Sequence, residues 1–147
     1  MTTAIPAVIL RYIEGLKHHD VEKIASTVAE DMGFVTPVKT MTKPQFVAFI
    51  GALYAGFPDW HYEYDPIEVR RDGVIAVRWY QGGHHTGVLA LPGFSSVPAT
   101  GKKVQIPPHY FFYKVANDLI VEIRPDPVPG GAPRGIFEQI GVVIPPL

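Results

Sequence analysis

A chain of 147 residues that is 47% apolar, has no cysteine and balances 13 basic against 14 acidic residues excludes several function classes at once. The length suits one domain, so residues 1–147 are read as a single unit. Scattered charges summing to −1 leave no electrostatic footprint for nucleic acid, and without thiols there is no disulfide or thiolate chemistry. The first apolar run has no basic residues ahead of it and is interrupted by Arg11 and Glu14, so a cytoplasmic protein without a membrane segment is expected.

Ile5, Ile9, Tyr12, Ile13 and Leu16 recur at helical spacing, with Pro6 in the first turn. After His18 and His19, Asp20 is placed to cap a second helix with Val21, Ile24, Ala25 and Val28 on its apolar side, ending at Glu30 and Asp31. A short extended piece, Phe34 to Thr36, follows. Thr42-Lys-Pro-Gln45 has the capping-box form, and Phe46, Phe49, Ile50, Leu53 and Phe57 give the third helix an apolar face that Gly56 and Pro58 terminate.

From Trp60 the period changes to two. Trp60, Tyr62 and Tyr64 alternate with His61, Glu63 and Asp65, and Pro66 marks an edge or a kink. Asp72-Gly73 is a hairpin signal leading into a strand with Ile75, Val77, Trp79 and Gln81 on its inner face. The next strand, Val104 to Val115, is expected to turn even-numbered residues outward and His109, Phe111 and Tyr113 inward. Asn117-Asp118 turns the chain into a last strand with Leu119, Val121 and Ile123 inward and Glu122 and Arg124 outward. Pro125, Pro127, Pro129 and the Gly130-Gly131 pair end the sheet before a short helix over 135–140. Three helices followed by antiparallel strands predict an α+β fold.

The inward aromatics Trp60, Tyr62, Trp79, Phe111 and Tyr113, with Gln81, His85 and His109 among them, have the make-up of a small-molecule pocket; aromatic side chains also fill ordinary cores. His18, His19 and His61 are expected at the surface, and His84 opposite to His85. An imidazole moves protons near neutrality, so His85 and His109 are candidate catalytic groups, and His85 is equally suited to bonding the neighbouring loop. No spacing of His and carboxylates supplies a metal site. Tyr80, Tyr110 and Phe112 form an outward aromatic patch, from which a homodimer is expected.

The segment WYQGGHHTGVLALPGFSSVPATGKKV, Trp79 to Val104, gives the chain a family likeness. Gly83, His85 and Gly87, then Pro98, Thr100, Gly101 and Lys102, then Ile120, Glu122 and Arg124, and finally Ile136, Gln139, Ile140 and Gly141 follow the order of motifs in SnoaL-like polyketide cyclases. The sequence resembles that family over nearly its whole length. The resemblance implies a cone-shaped domain in which N-terminal helices pack on a curved antiparallel or mixed sheet and enclose a pocket. It also implies acid/base chemistry without a cofactor on a small, apolar carbonyl compound, as in a cyclase or isomerase. Family cyclases place their acid/base aspartate after the arginine matched by Arg124; here that position is Pro125, and Asp126 follows. Asp126, His109 and His85 are the catalytic candidates. A non-catalytic module carrying an apolar ligand in the same pocket is the competing reading, and Pro125 favours it.

Overall fold

The computed structural model describes residues 4–37 and 39–142. Helices α1 (Ala7–Lys17) and α2 (Val21–Ser26) are followed by strands β1 (Val28–Val35) and β2 (Thr40–Met41), then helix α3 (Lys43–Gly56). Strands β3 (His61–Tyr64), β4 (Glu68–Val69), β5 (Ile75–His84), β6 (Lys103–Ala116) and β7 (Leu119–Pro125) complete the sheet, and α4 (Arg134–Gln139) closes the described chain. The local signals act as their chemistry requires. Asp20 accepts from the Lys23 N–H at 3.1 Å. Thr42 and Gln45 form the reciprocal capping box at the start of α3. Asp72 accepts from the Val74 N–H in the β4–β5 turn, where Gly73 takes a positive φ, and Asn117 and Asp118 both take the left-handed conformation in the β6–β7 turn.

The sheet has seven strands in the order β2-β1-β7-β6-β5-β3, with β4 also paired to β5. Pro66 falls between β3 and β4, which pair with different parts of β5. The helices and the inner sheet face share one core, which includes Ile9, Ile13, Ile24, Phe46, Leu53, Val77, Trp79 and Ile123. No helix among the described residues is long and apolar enough to cross a membrane.

Three strand expectations are corrected. The second helix stops at Ser26, and Val28 to Asp31 belong to β1, which runs parallel to β7 and makes the sheet mixed. Position parity in β6 switches along its length: Val104 and Ile106 are buried, as are His109 and Tyr113. The register with β5 slips between Trp79 and Gln81, opposite Pro107-Pro108, whose missing N–H groups suit a bulge. A second slip against β7 buries Ile120 together with Ile123, leaving Leu119 and Val121 half-buried.

Candidate functional site

The inner face of β3, β5 and β6 gathers aromatic side chains through cross-strand pairing. Tyr62 lies opposite Gln81, Tyr64 opposite Trp79, and Trp79 opposite His109. Trp60, Tyr62, Trp79 and Tyr113 are buried, whereas Phe111 and Gln81 are half-buried, and the Trp60 indole donates to the Gln81 amide oxygen at 3.4 Å. Helix packing brings two further tyrosines against this wall. Tyr12 of α1 meets Tyr113 edge-on with ring centroids 5.5 Å apart, and Tyr54 of α3 meets Tyr62 in the same way at 6.4 Å.

The polar tips of these rings converge. Trp79 Nε1–H donates to the Tyr113 hydroxyl at 2.9 Å, and one of the Tyr54 and Tyr62 hydroxyls donates to the other at 2.7 Å. The Tyr12 and Tyr113 hydroxyls influence each other's ionisation without reaching ordinary hydrogen-bond geometry. Burial raises the pKa of all four phenols, that of Tyr54 to about 12, so each stays a neutral hydroxyl near neutral pH. Tyr12, Tyr54, Tyr62 and Tyr113 hold four O–H protons and the Tyr54–Tyr62 bond uses one, so three remain, or two if the Tyr12–Tyr113 contact is counted. Among the described residues no carboxylate or carbonyl accepts them. Each hydroxyl oxygen can also accept, so the cluster is distinguished by uncommitted O–H protons and not by a lack of acceptors.

His109 is 7% exposed. Its Nδ1 lies 2.8 Å from the Pro107 carbonyl, which only accepts, so Nδ1 carries the proton and, in the neutral ring, Nε2 holds the lone pair. The Phe111 ring packs 5.1 Å away. Among the described residues the one sealed side-chain polar atom without a partner is His85 Nε2. Among the described residues neither the Tyr12 hydroxyl nor His109 Nε2 has a hydrogen-bond partner of ordinary geometry.

The other candidates lie elsewhere. His85 is fully buried, with Nδ1 against Thr100 and Phe57 stacked on its ring. Asp126 is exposed. Its backbone N–H pairs with Tyr110, an outer-face residue, while Pro125 lies opposite Phe111 on the inner face. The prolines do not turn Asp126 back inward, and Asp126 and His109 are not brought together. His84 is exposed and held by Asp59 at 2.6 Å; the His84 backbone N–H is the main cause of the lowered pKa of Asp59. His18 and His61 are exposed as expected, but His19 is half-buried, donating to the Trp60 carbonyl and stacking on Tyr54 with centroids 3.9 Å apart.

Sequence reasoning missed Tyr12 and Tyr54 as site residues, because both sit on helices where only the apolar stripe was read. A tyrosine on an otherwise aliphatic stripe carries a polar tip into the core, and that was the available signal. The outer face matches expectation in part: Tyr80, Tyr110 and Phe112 are half-buried, and the Arg70 guanidinium lies over both Tyr110 and Phe112.

The SnoaL-like domain matches residues 9–123. The chain belongs to the SnoaL-like family. A search of curated proteins finds no match. Among solved structures, a protein of Jannaschia sp. CCS1 assigned as a SnoaL-like polyketide cyclase is similar with a TM-score of 0.70 at 17% identity, over 99% of each chain. AclR of Streptomyces galilaeus reaches a TM-score of 0.72 at 18% identity, over 92% of this chain and 79% of its own. TsrD of Streptomyces laurentii reaches 0.69 at 14%, over 96% and 100%. At such identities the likeness establishes the α+β cone fold of the SnoaL-like family.

Proposed function

We propose that this SnoaL-like protein takes a small, largely apolar carbonyl compound into a pocket between its helices and sheet and rearranges it by acid/base chemistry without a cofactor, as a cyclase or isomerase does. The observation that carries this reading is that neutral phenol protons of Tyr12, Tyr54, Tyr62 and Tyr113 are left without a carboxylate or carbonyl acceptor among the described residues. A carbonyl oxygen is the missing acceptor, and the negative charge it gains as a neighbouring proton leaves is what such donors stabilise. His109 is the base in this scheme. Its Nδ1–H is committed to Pro107, so Nε2 accepts the substrate proton, a task typically worth ~10²–10⁴-fold in rate. Trp60, Trp79 and Phe111 supply the apolar walls, and Gln81 a further polar contact. Asp126 has no part in this reading, and His85 holds a loop.

His109 and Tyr113 are four residues apart on one strand face, roughly 13 Å along the backbone. In this reading the Tyr113 and His109 side chains lean toward one carbonyl group seated between them, because the proton removed lies next to the oxygen that the phenols hold. A second reading, a binding module on the same pocket, is favoured by Pro125 at the position where family cyclases carry their aspartate. Incubation with 2-tetralone in deuterated water, followed by proton NMR, separates the two. Catalysed loss of the proton next to the carbonyl, abolished in His109→Gln, supports the enzyme; saturable binding with no exchange above buffer supports the module; neither outcome overturns both.

A further inference from the structure

His85 is held by an arrangement that only a neutral imidazole satisfies. Its Nδ1 lies 2.9 Å from the Thr100 hydroxyl and accepts from the Thr100 backbone N–H at 3.2 Å, so the ring proton must sit on Nε2. That atom is sealed without a hydrogen-bond partner. The His85 backbone completes the attachment: its N–H donates to the Lys102 carbonyl and its carbonyl accepts from the Gly101 N–H.

The segment fixed in this way covers one end of the fold. Leu89 and Val97 bridge each other, and Leu89 and Leu91 are buried in the core. The Gly87 N–H donates to the Gly56 carbonyl at the end of α3, an approach so close that a Cβ on Gly87 would lie 2.1 Å from the Ala55 oxygen. Phe57, just beyond α3, stacks on the imidazole.

Protonation at Nδ1 would set its new N–H against the Thr100 backbone N–H. The Thr100 hydroxyl can rotate to accept; the amide cannot. Nor is there a counter-charge. His84 and Asp59 are bound to each other at the outer surface, and Lys102 and Lys103 are exposed; among the described residues none of these side chains reaches the ring. Phe57, Val97 and Thr100, the other groups packed against it, do not titrate.

We propose that His85 is an acid-sensitive latch: it holds residues 86–102 closed over the end of the fold while its imidazole is neutral and releases them when Nδ1 takes up a proton. Burial lowers the pKa of His85, although the Val97 carbonyl pulls slightly the other way, so the geometry and the ionisation agree in sign. The closed form is favoured fully above the open-state pKa of about 6.5. As pH falls from there toward the lower closed-state value, the open fraction rises about tenfold per unit and then levels off. Acid would uncover Leu89, Leu91 and Phe57.

The test is hydrogen exchange read by mass spectrometry, at about pH 7.5 and about pH 5 and corrected for the chemical exchange rate, on the wild type and on His85→Asn. The Asn oxygen replaces Nδ1 as acceptor and does not titrate. The expected result is that protection of 86–102, relative to β5 and β6, is lost in the wild type on acidification and stays constant in the variant. Equal pH dependence in both proteins, or none in the wild type, overturns the proposal. Should the variant fail to fold, NMR titration of the wild-type imidazole decides. The proposal stands if His85 titrates below the ordinary range in step with loss of protection, and falls if it titrates while the segment stays protected.

Discussion

Replacing Tyr113 by Phe removes one oxygen from the interior and leaves the Trp79 indole N–H, in a side chain only 2% exposed, without its 2.9 Å acceptor. The phenyl ring fills the same space, so the cost is that of a stranded buried donor, about 1–3 kcal/mol. For a domain of this size each kcal/mol moves Tm by about 2–4 °C, which gives a drop of roughly 2–12 °C. Thermal and urea melts at neutral pH, run beside Tyr64→Phe as a control whose hydroxyl makes no hydrogen bond among the described residues, measure it; the control should stay within about 0.5 kcal/mol of wild type. A double-mutant cycle with Trp79→Phe should return a coupling of about 0.5–3 kcal/mol. If Tyr113→Phe melts with the wild type, or the two changes add, then the Trp79–Tyr113 bond does not organise the interior and the count of free donors loses its basis.

Other outcomes follow from the same geometry. Gly87→Ala should abolish folding or strongly destabilise it, since its Cβ would sit 2.1 Å from the Ala55 oxygen; soluble yield and circular dichroism check this. The raised pKa of the buried phenols means the unfolded chain releases protons first above pH ~10; stability should therefore be intact below that value and fall as pH rises toward about 12 for Tyr54. Phenolate absorbance of these rings should then appear together with unfolding, not before it. Asp126→Asn should leave turnover of a cognate carbonyl compound unchanged while His109→Gln lowers it ~10²–10⁴-fold, with the two effects independent. Finally, the aromatic outer face bearing Tyr80, Tyr110 and Phe112 is expected to bury itself against a second copy; sedimentation at micromolar concentration should report a dimer that Phe112→Glu dissociates, and a monomeric wild type would remove the idea.

The parts of the fold legible in the sequence are those where one residue's chemistry decides a local geometry. Asp20, the Thr42–Gln45 box, Asp72-Gly73 and Asn117-Asp118 each mark a boundary without reference to the rest of the chain. What could not be read depends on partners far away in sequence. Val28 to Asp31 continue a plausible helix pattern, and only the parallel pairing of Val28 with Ile120 makes them strand. Pro107-Pro108 was visible, but its bulge exchanges inner and outer positions, so Val104 and Ile106 were placed on the wrong face while His109 and Tyr113 were placed correctly. The aromatic wall was readable from alternation in β3, β5 and β6. The hydroxyl cluster was not, since it needs Tyr12 and Tyr54 brought in by two helices. Likewise Asp126 was a candidate only by its position after Arg124, and the pairing of its backbone with Tyr110 turns it to the outer face.

The central claim is that the interior phenols present neutral donors to a carbonyl oxygen. It is tested most directly by the infrared C=O stretch of carbonyl-labelled 2-tetralone titrated into the protein. The account predicts a saturable bound band at lower frequency than the same ketone in water, shifting back toward its position in an apolar solvent in Tyr12→Phe and Tyr113→Phe. No bound band, or a bound band that is indifferent to both substitutions, would contradict it.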